Sequence, residues 1–258
     1  MKQKILIYRD YGCAPVDALE RELRNFFVPR GIKVDFTDAA AIAGGKALGK
    51  DVLALWMPGG AAGAYRAKLG NTGEEAIRRF VENGGLYAGI CAGAYYACRD
   101  IGFEEHIPEL KITAKGLKLV DDKAVGTLGK KLKLRPFAIN EASAAVVGLE
   151  WADGRQFKVH YFGGPAFQEE DKAAEVLARY DISGKPAALL RKSYGKGMVL
   201  LCGAHYEDDY RDIEHGLHKQ RLDYKQARKN ADVLKEYHTS RSKLAEKIFK
   251  IAEEFFKA

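Results

Sequence analysis

Gly84-Gly85-Leu86-Tyr87-Ala88-Gly89-Ile90-Cys91-Ala92-Gly93-Ala94-Tyr95-Tyr96-Ala97 decides how the chain is read. Leu86 to Ile90 is a short apolar run and reads as a buried strand. It ends on a cysteine set between glycines, and the small and apolar residues that follow read as a helix. Strand, sharp turn with a nucleophilic side chain at its tip, then helix is the pattern of a nucleophile elbow, here with Cys91 at the tip. Gly89 and Gly93 suit such a turn because the helix must pack close to the strand. The helix amino terminus beneath Cys91 favours negative charge at that position. Read without the rest of the chain, the same residues describe a buried cysteine at a Gly/Ala-rich strand–helix junction.

Upstream, the chain alternates strands with helices. Lys4 to Tyr8 reads as a strand, Ala14 to Phe27 as an amphipathic helix, Ile32 to Phe36 as a strand and Ala39 to Ala47 as a weak helix. Val52 to Met57 is nearly all apolar, as in a parallel strand buried on both faces. Gly73 to Asn83 is an amphipathic helix that Gly84-Gly85 closes. Alternating strands and helices predict right-handed parallel crossovers in an open α/β sheet, with the site at the carboxyl ends of the strands. The loops after Tyr8 and Met57 and the Cys91 turn meet there.

Downstream, residues 101–150 read as an inserted or edge region with a mixed sheet; Lys111-Ile112, Leu117 to Val120 and Leu132 to Leu134 are short strand candidates. Gln156 to Tyr161 is a strand, and Lys172 to Tyr180 is a short helix or a helix-to-strand joint. Ala187 to Arg191 and Met198 to Leu201 form a hairpin across Tyr194-Gly195-Lys196-Gly197. The second arm of that hairpin leads into Cys202-Gly203-Ala204-His205-Tyr206-Glu207. Beyond Arg211 the chain is polar and helical. There Leu244, Ile248, Ile251 and Phe255 form one stripe that packs on the domain, on a partner protein or on a second copy. The expected organisation is a domain over 1–210 and a helical extension over 211–258.

The chain has 258 residues, enough to bury roughly 70–75% of its unfolded surface. The net charge of +7 comes from dispersed lysines and arginines, which argues against a nucleic-acid footprint. The four cysteines (Cys13, Cys91, Cys98, Cys202) have no metal-site spacing and are too few for a disulfide scaffold, so reduced thiols in the cytoplasm are expected. The first strand is too short for a signal segment, and no apolar run is long enough to span a membrane.

A cysteine nucleophile needs a base and a group that orients the base. Among six histidines, His205 stands just past a buried strand with Glu207 two residues on. Positions i and i+2 share a side, so Glu207 can fix the ring. His160 reads as a satisfied core histidine; His106, His215, His218 and His238 read as surface residues. The Ala92 N–H and an N–H of Gly59 or Gly60 are the candidate oxyanion hole. No metal or cofactor is expected.

Pro58-Gly59-Gly60, Gly89-Ile90-Cys91-Ala92-Gly93, Tyr194-Gly195-Lys196-Gly197 and His205-Tyr206-Glu207 together resemble the class I glutamine amidotransferase-like superfamily. Tyr8 with Asp10 and Gly12, Tyr65, the longer elbow with Tyr95-Tyr96, Phe103-Glu104 and Phe162-Gly163-Gly164-Pro165 resemble, more closely, the amino-terminal domain family of eukaryotic biotin–protein ligases, which also occurs free-standing in bacteria. The resemblance covers about residues 3–210. It implies a flavodoxin-like sheet and a Cys91–His205–Glu207 triad that attacks a small-molecule or peptide carboxamide through a thioester. It also implies a pocket lined by Tyr8, Asp10, Tyr65, Tyr95, Gly163 and Gly164. Tyr206 stands where amidotransferases usually carry proline. The chain has neither a synthetase domain to use ammonia nor the Gly-Arg-Gly-Arg-type loop of a biotin ligase, so biotin transfer is not expected of it. A non-catalytic module that keeps the pocket is the alternative.

Overall fold

The structure, a computed structural model, describes residues 3–139, 141–219 and 224–258. The elements in order are β1 (Lys4–Tyr8), α1 (Asp17–Phe27), β2 (Lys33–Thr37), α2 (Ala39–Ala43), β3 (Val52–Met57), α3 (Ala62–Glu82), β4 (Leu86–Ile90) and α4 (Ala92–Ala97). They continue with β5 (Cys98–Phe103), β6 (Ile112–Lys115), β7 (Val120–Gly126), α5 (Gly129–Leu132), β8 (Ala144–Trp151), β9 (Gln156–Phe162), β10 (Ala166–Phe167) and β11 (Glu175–Tyr180). The last are β12 (Ala187–Tyr194), β13 (Gly197–Cys202), α6 (Tyr210–Lys219), α7 (Tyr224–Glu236) and α8 (His238–Lys257).

The fold is α/β, an open sheet flanked by helices, and its core is a parallel block in the order β2-β1-β3-β4-β13. Both faces of that block are covered, and its strands divide their apolar residues between the faces with a period of two. Ile5, Ile7, Ala54, Trp56, Leu86, Ala88 and Ile90 enter the core on one face. Leu6, Tyr8, Leu55, Met57 and Tyr87 enter the core on the other. Because β4 and β13 are parallel neighbours, with Ile90 opposite Cys202, the segments that leave their carboxyl ends emerge side by side. That adjacency brings Cys91 and His205 together.

Beyond β13 the sheet is mixed. β12 runs antiparallel to β13, β5 and β7 pair in parallel, and β8–β9 form an antiparallel hairpin joined through β11. The helix expected after the elbow is present, six residues long, and the chain turns into a strand at Cys98, where Arg99-Asp100 interrupt the apolar run. Other sequence expectations are corrected by the structure. α3 starts at Ala62 rather than Gly73; Gly70, with φ 56°, breaks it and hides its first half from a helical reading. Leu132 closes a helical turn instead of starting a strand, and Lys133 follows in the left-handed region. Of the two readings of Lys172 to Tyr180, the helix fails: residues 175–180 are a strand preceded by a turn, paired with β12 on one side and β8 on the other.

The carboxyl-terminal helices include α8, whose Leu244, Ala245, Ile248, Phe249 and Ala252 are buried in the main core. The Phe249 ring lies within 5.5–6.2 Å of the rings of Phe26, Phe27, Trp56 and Tyr206. The apolar stripe of this helix therefore packs on the chain's own sheet. Among the described residues no helix is long and apolar enough to cross a membrane. Phe249→Ala should cost about 3–5 kcal/mol, the usual range for emptying a buried aromatic position. Denaturant unfolding checks this, and a loss under about 1 kcal/mol would mean that α8 contributes little to the core.

Candidate active site

Cys91 links β4 to α4 with φ 48° and ψ −105°, a left-handed backbone that a side-chain-bearing residue adopts only under constraint. The constraint is visible on both sides. The Cys91 N–H donates to the Cys202 carbonyl at 2.9 Å, and its own carbonyl accepts from Ala94 and Tyr95 at 3.0 and 2.9 Å. The Gly93 N–H donates to Pro58 at 3.0 Å. A β-carbon on Gly93 would stand 2.1 Å from the Met57 carbonyl oxygen, so only glycine lets α4 lie this close to β3.

The second part arrives on the chain leaving β13. The His205 N–H donates to the His160 carbonyl at 2.9 Å, which fastens the segment to β9. Nδ1 of His205 is 2.8 Å from Oε1 of Glu207, and both side chains are buried. The side-chain alternation expected after a strand thus places the carboxylate against the imidazole. The ring also presses on the turn after β3: a β-carbon at Gly59 would come 2.8 Å from Cε1 of His205 and 3.7 Å from Cβ of Cys91. Gly59 is therefore the residue over which the cysteine and the histidine meet.

Burial works against charge on His205, yet Glu207 and the Cys91 sulfur outweigh it and raise the imidazole well above the ordinary histidine value. Burial raises the Glu207 carboxyl, against the pull of His205. Nε2 of His205 has no hydrogen-bond partner, and the Cys91 thiol donates instead to the Phe162 carbonyl at 3.5 Å.

The two glycines and Ala92 sit as follows. Ala92 is the first residue of α4, so its N–H has no acceptor within the helix. The Gly59 carbonyl accepts from the Tyr65 hydroxyl at 2.6 Å and from the Ala14 N–H at 2.9 Å. In a trans peptide the next N–H, that of Gly60, points the opposite way, away from Tyr65.

The residues expected around the pocket are brought close to these groups in differing degree. Tyr65 carries the Pro58-Gly59 turn and packs edge-on against the buried Tyr8. Tyr95 donates to the Gly163 carbonyl at 3.1 Å, and the close passage of Gly164 beside Gly203 joins that turn to the start of the His205 segment. Asp10 is used elsewhere: its carboxylate accepts from the N–H groups of Tyr11 and Ala39, the latter opening α2. His106 and His238 are half-exposed, paired with Glu104 at 3.4 Å and Asp209 at 3.1 Å, and His215 is exposed. The side chain of His218 lies outside the described residues.

Three contributions escaped sequence reading. Asp208 binds Nδ1 of His160 at 2.7 Å and lies 3.8 Å from Nδ1 of His205, so His160, buried as expected of a core histidine, adjoins the site. Tyr206 binds Nε1 of Trp56 through its hydroxyl at 3.0 Å, which gives the tyrosine in place of proline a structural use. Arg241 of α8 donates to the Tyr206 carbonyl at 2.9 Å. The acidic run Glu207-Asp208-Asp209 was the only signal in the sequence for the first; contacts over 150 and 35 residues leave none for the others. His205, Glu207 and Asp208 hold ligand-type atoms within 4.8 Å of one another, the one such group among the described residues. The hydrogen bonds to His205 and His160 account for how both carboxylates are placed.

An open α/β sheet with a cysteine elbow beside a His-x-Glu segment defines a protein with the glutamine amidotransferase-like fold. Two solved structures share it: a glutamine amidotransferase at TM-score 0.50 and 22% identity, covering 79% of this chain and 90% of that one, and a glutamine amidotransferase from Thermotoga maritima at TM-score 0.53 and 16% identity, covering 96% and 99%. Within that fold, the chain belongs to the family described as biotin-protein ligase, N terminal, which it matches over residues 3–254. An uncharacterized protein of Chlamydia muridarum is 30% identical over 213 residues, 80% of each chain. The biotin–protein ligase of Schizosaccharomyces pombe is 28% identical over 224 residues, which is 79% of this chain and 33% of that ligase, so the chain spans about a third of the latter.

Gly59→Ala should force the His205 ring aside and slow alkylation of Cys91 roughly ten- to a hundredfold, the cost of displacing a reacting group by up to an ångström. Peptide mass spectrometry after brief iodoacetamide treatment reads this, and an unchanged rate would mean that ring and thiol act separately. Asp209 is fully buried; burial opposes its charge, but Arg211 and Arg241 hold its carboxyl below the usual aspartate range. Its contribution to stability is present above the unfolded value of about 3.9 and lost as the pH falls through the lower folded value. The melting temperature of Asp209→Asn should therefore fall less than that of the wild type between about pH 5 and pH 3.

Proposed function

We propose that the chain is a cysteine-dependent amidohydrolase of the glutaminase type, acting on a carboxamide. The observation that carries the reading is the 2.8 Å contact of Glu207 with Nδ1 of His205, which leaves Nε2 free while Gly59 brings the ring and Cys91 together. In the reaction, Nε2 takes the thiol proton and Sγ attacks the amide carbon. The Ala92 N–H and the Gly60 or Gly59 N–H bind the oxyanion. The tetrahedral adduct collapses to a thioester, and His205 passes its proton to the departing ammonia. Water then attacks the thioester while His205 takes a proton from it; the acid leaves and the proton returns to sulfur. Glu207 holds the tautomer with hydrogen on Nδ1 and stabilises the imidazolium. The glutamine amidotransferases that share the fold make a glutamine-like side chain the first substrate to try.

A second reading, a ligand-binding module that keeps the site without turnover, is favoured by one observation: the thiol donates to Phe162 rather than to Nε2.

Iodoacetamide at neutral pH should alkylate Cys91 at least tenfold faster than Cys13 or Cys98, and His205→Ala should abolish the difference. Equal rates for the three thiols would contradict the amidohydrolase. Hydrolysis of glutamine or of a panel of small amides that is lost in Cys91→Ala excludes the module.

A further inference from the structure

Arg241, in the first turn of α8, reaches the His205-Tyr206-Glu207 segment from outside the sheet. The residue is 2% exposed, and Nη1 donates to the carbonyl of Tyr206, the residue between the histidine and the glutamate, at 2.9 Å. That carbonyl belongs to the peptide joining Tyr206 to Glu207, so the bond sets the orientation from which the Glu207 side chain departs. The peptide on the other side of His205 is set by the bond of its N–H to His160, and the Tyr206 side chain by Trp56 and Phe249. Of these fastenings, only that from Arg241 acts on the backbone between the two side chains that must meet.

The groups around the guanidinium show why a buried cation is tolerated there. Glu22 of α1 faces it at 3.3 Å from Nη1, and Asp209 lies 3.8 Å from Nη2. Nη2 also donates to the Ser242 hydroxyl at 3.1 Å. Arg241 contributes to holding the Asp208 and Asp209 carboxyls below their usual range, against their burial. Farther out, Arg211 and His238 share Asp209, and Arg21 neighbours Glu22 while binding Asp212. A single hydrophobic side chain could fill the space, but it could neither reach a backbone carbonyl nor answer the buried carboxylate of Asp209 and the half-buried one of Glu22.

We propose that Arg241 is a positioning residue for the site: it docks α8 onto the His205-Tyr206-Glu207 segment and aligns Glu207 with Nδ1 of His205. The proposal rests on the triad reading above, and its failure separates from the failure of that reading. In the full-length chain, the rate of Cys91 alkylation is followed from about pH 5 to pH 9, a span that brackets the ordinary histidine value, together with the melting temperature. Arg241→Lys keeps the charge and loses the forked reach; it should lower the rate near neutrality about tenfold and shift the pH profile. Glu22→Gln removes a counter-ion and leaves the carbonyl bond; it should lower the melting temperature and leave the profile of the wild type. A folded Arg241→Lys protein with the wild-type profile overturns the proposal, as does a rate loss in Glu22→Gln equal to that in Arg241→Lys. If His205→Ala leaves the Cys91 profile untouched, the triad reading itself falls. If His205→Ala flattens the profile and Arg241→Lys does not, only the role of Arg241 falls. Should Arg241→Lys not fold, hydrogen–deuterium exchange of residues 204–208 in the wild type still decides. Protection matching that of β13 is expected, and exchange as fast as an exposed loop overturns the proposal.

Discussion

Cys91 is held in a left-handed conformation because two strands and the helix that follows it leave it no other. β13 takes its N–H, α4 takes its carbonyl, and α4 is itself drawn onto β3 so closely that no β-carbon fits at Gly93 beside the Met57 carbonyl oxygen. A strained residue persists only where its surroundings over-determine it, at a cost of order 1–3 kcal/mol that the fold must supply elsewhere. Here the supply is the doubly covered parallel block, with its two apolar faces. The turn after β3 and the segment after β13 are positioned by the same register, so the elbow, Gly59 and His205 converge without any long loop having to be ordered.

The His205 segment depends on more distant parts of the chain. Trp56 from β3, His160 from β9 and Arg241 from α8 each hold one part of it, and Phe249 closes the apolar side. This gives the carboxyl-terminal helix a connection to the site that its amphipathic pattern did not suggest. The same pattern that would suit docking on a partner is filled by α1, Trp56 and Tyr206 of the chain itself. It also accounts for a family match that runs to residue 254, well past the His-x-Glu segment.

The parallel core was legible because its inner strands are short apolar runs while the edge strand β2 alternates apolar and polar residues, and because Cys91 and His205-Tyr206-Glu207 each follow an apolar run. The first half of α3 was hidden by Gly63 and Gly73, whose helix propensity is weak, and by the break at Gly70. The strand β11 was read as partly helical because Ala173-Ala174-Glu175 favours helix locally, whereas pairing with β12 and β8 decides its state. The placement of Cys91 and His205 at neighbouring strand ends and the contact of His205 with Glu207 could be read from strand-end and i-to-i+2 arguments. Asp208, Trp56 and Arg241 could not, since their contacts are tertiary and join residues far apart in the chain.

The central claim is that Cys91 forms an acyl bond that His205 helps to make and break. Intact-protein and peptide mass spectrometry of the chain incubated with glutamine or small carboxamides, quenched in acid, tests it most directly. The account predicts an acyl adduct confined to Cys91, absent from Cys91→Ala and accumulating when Glu207→Gln slows its hydrolysis. Ammonia release without any adduct at Cys91, undiminished in Cys91→Ala, would contradict it.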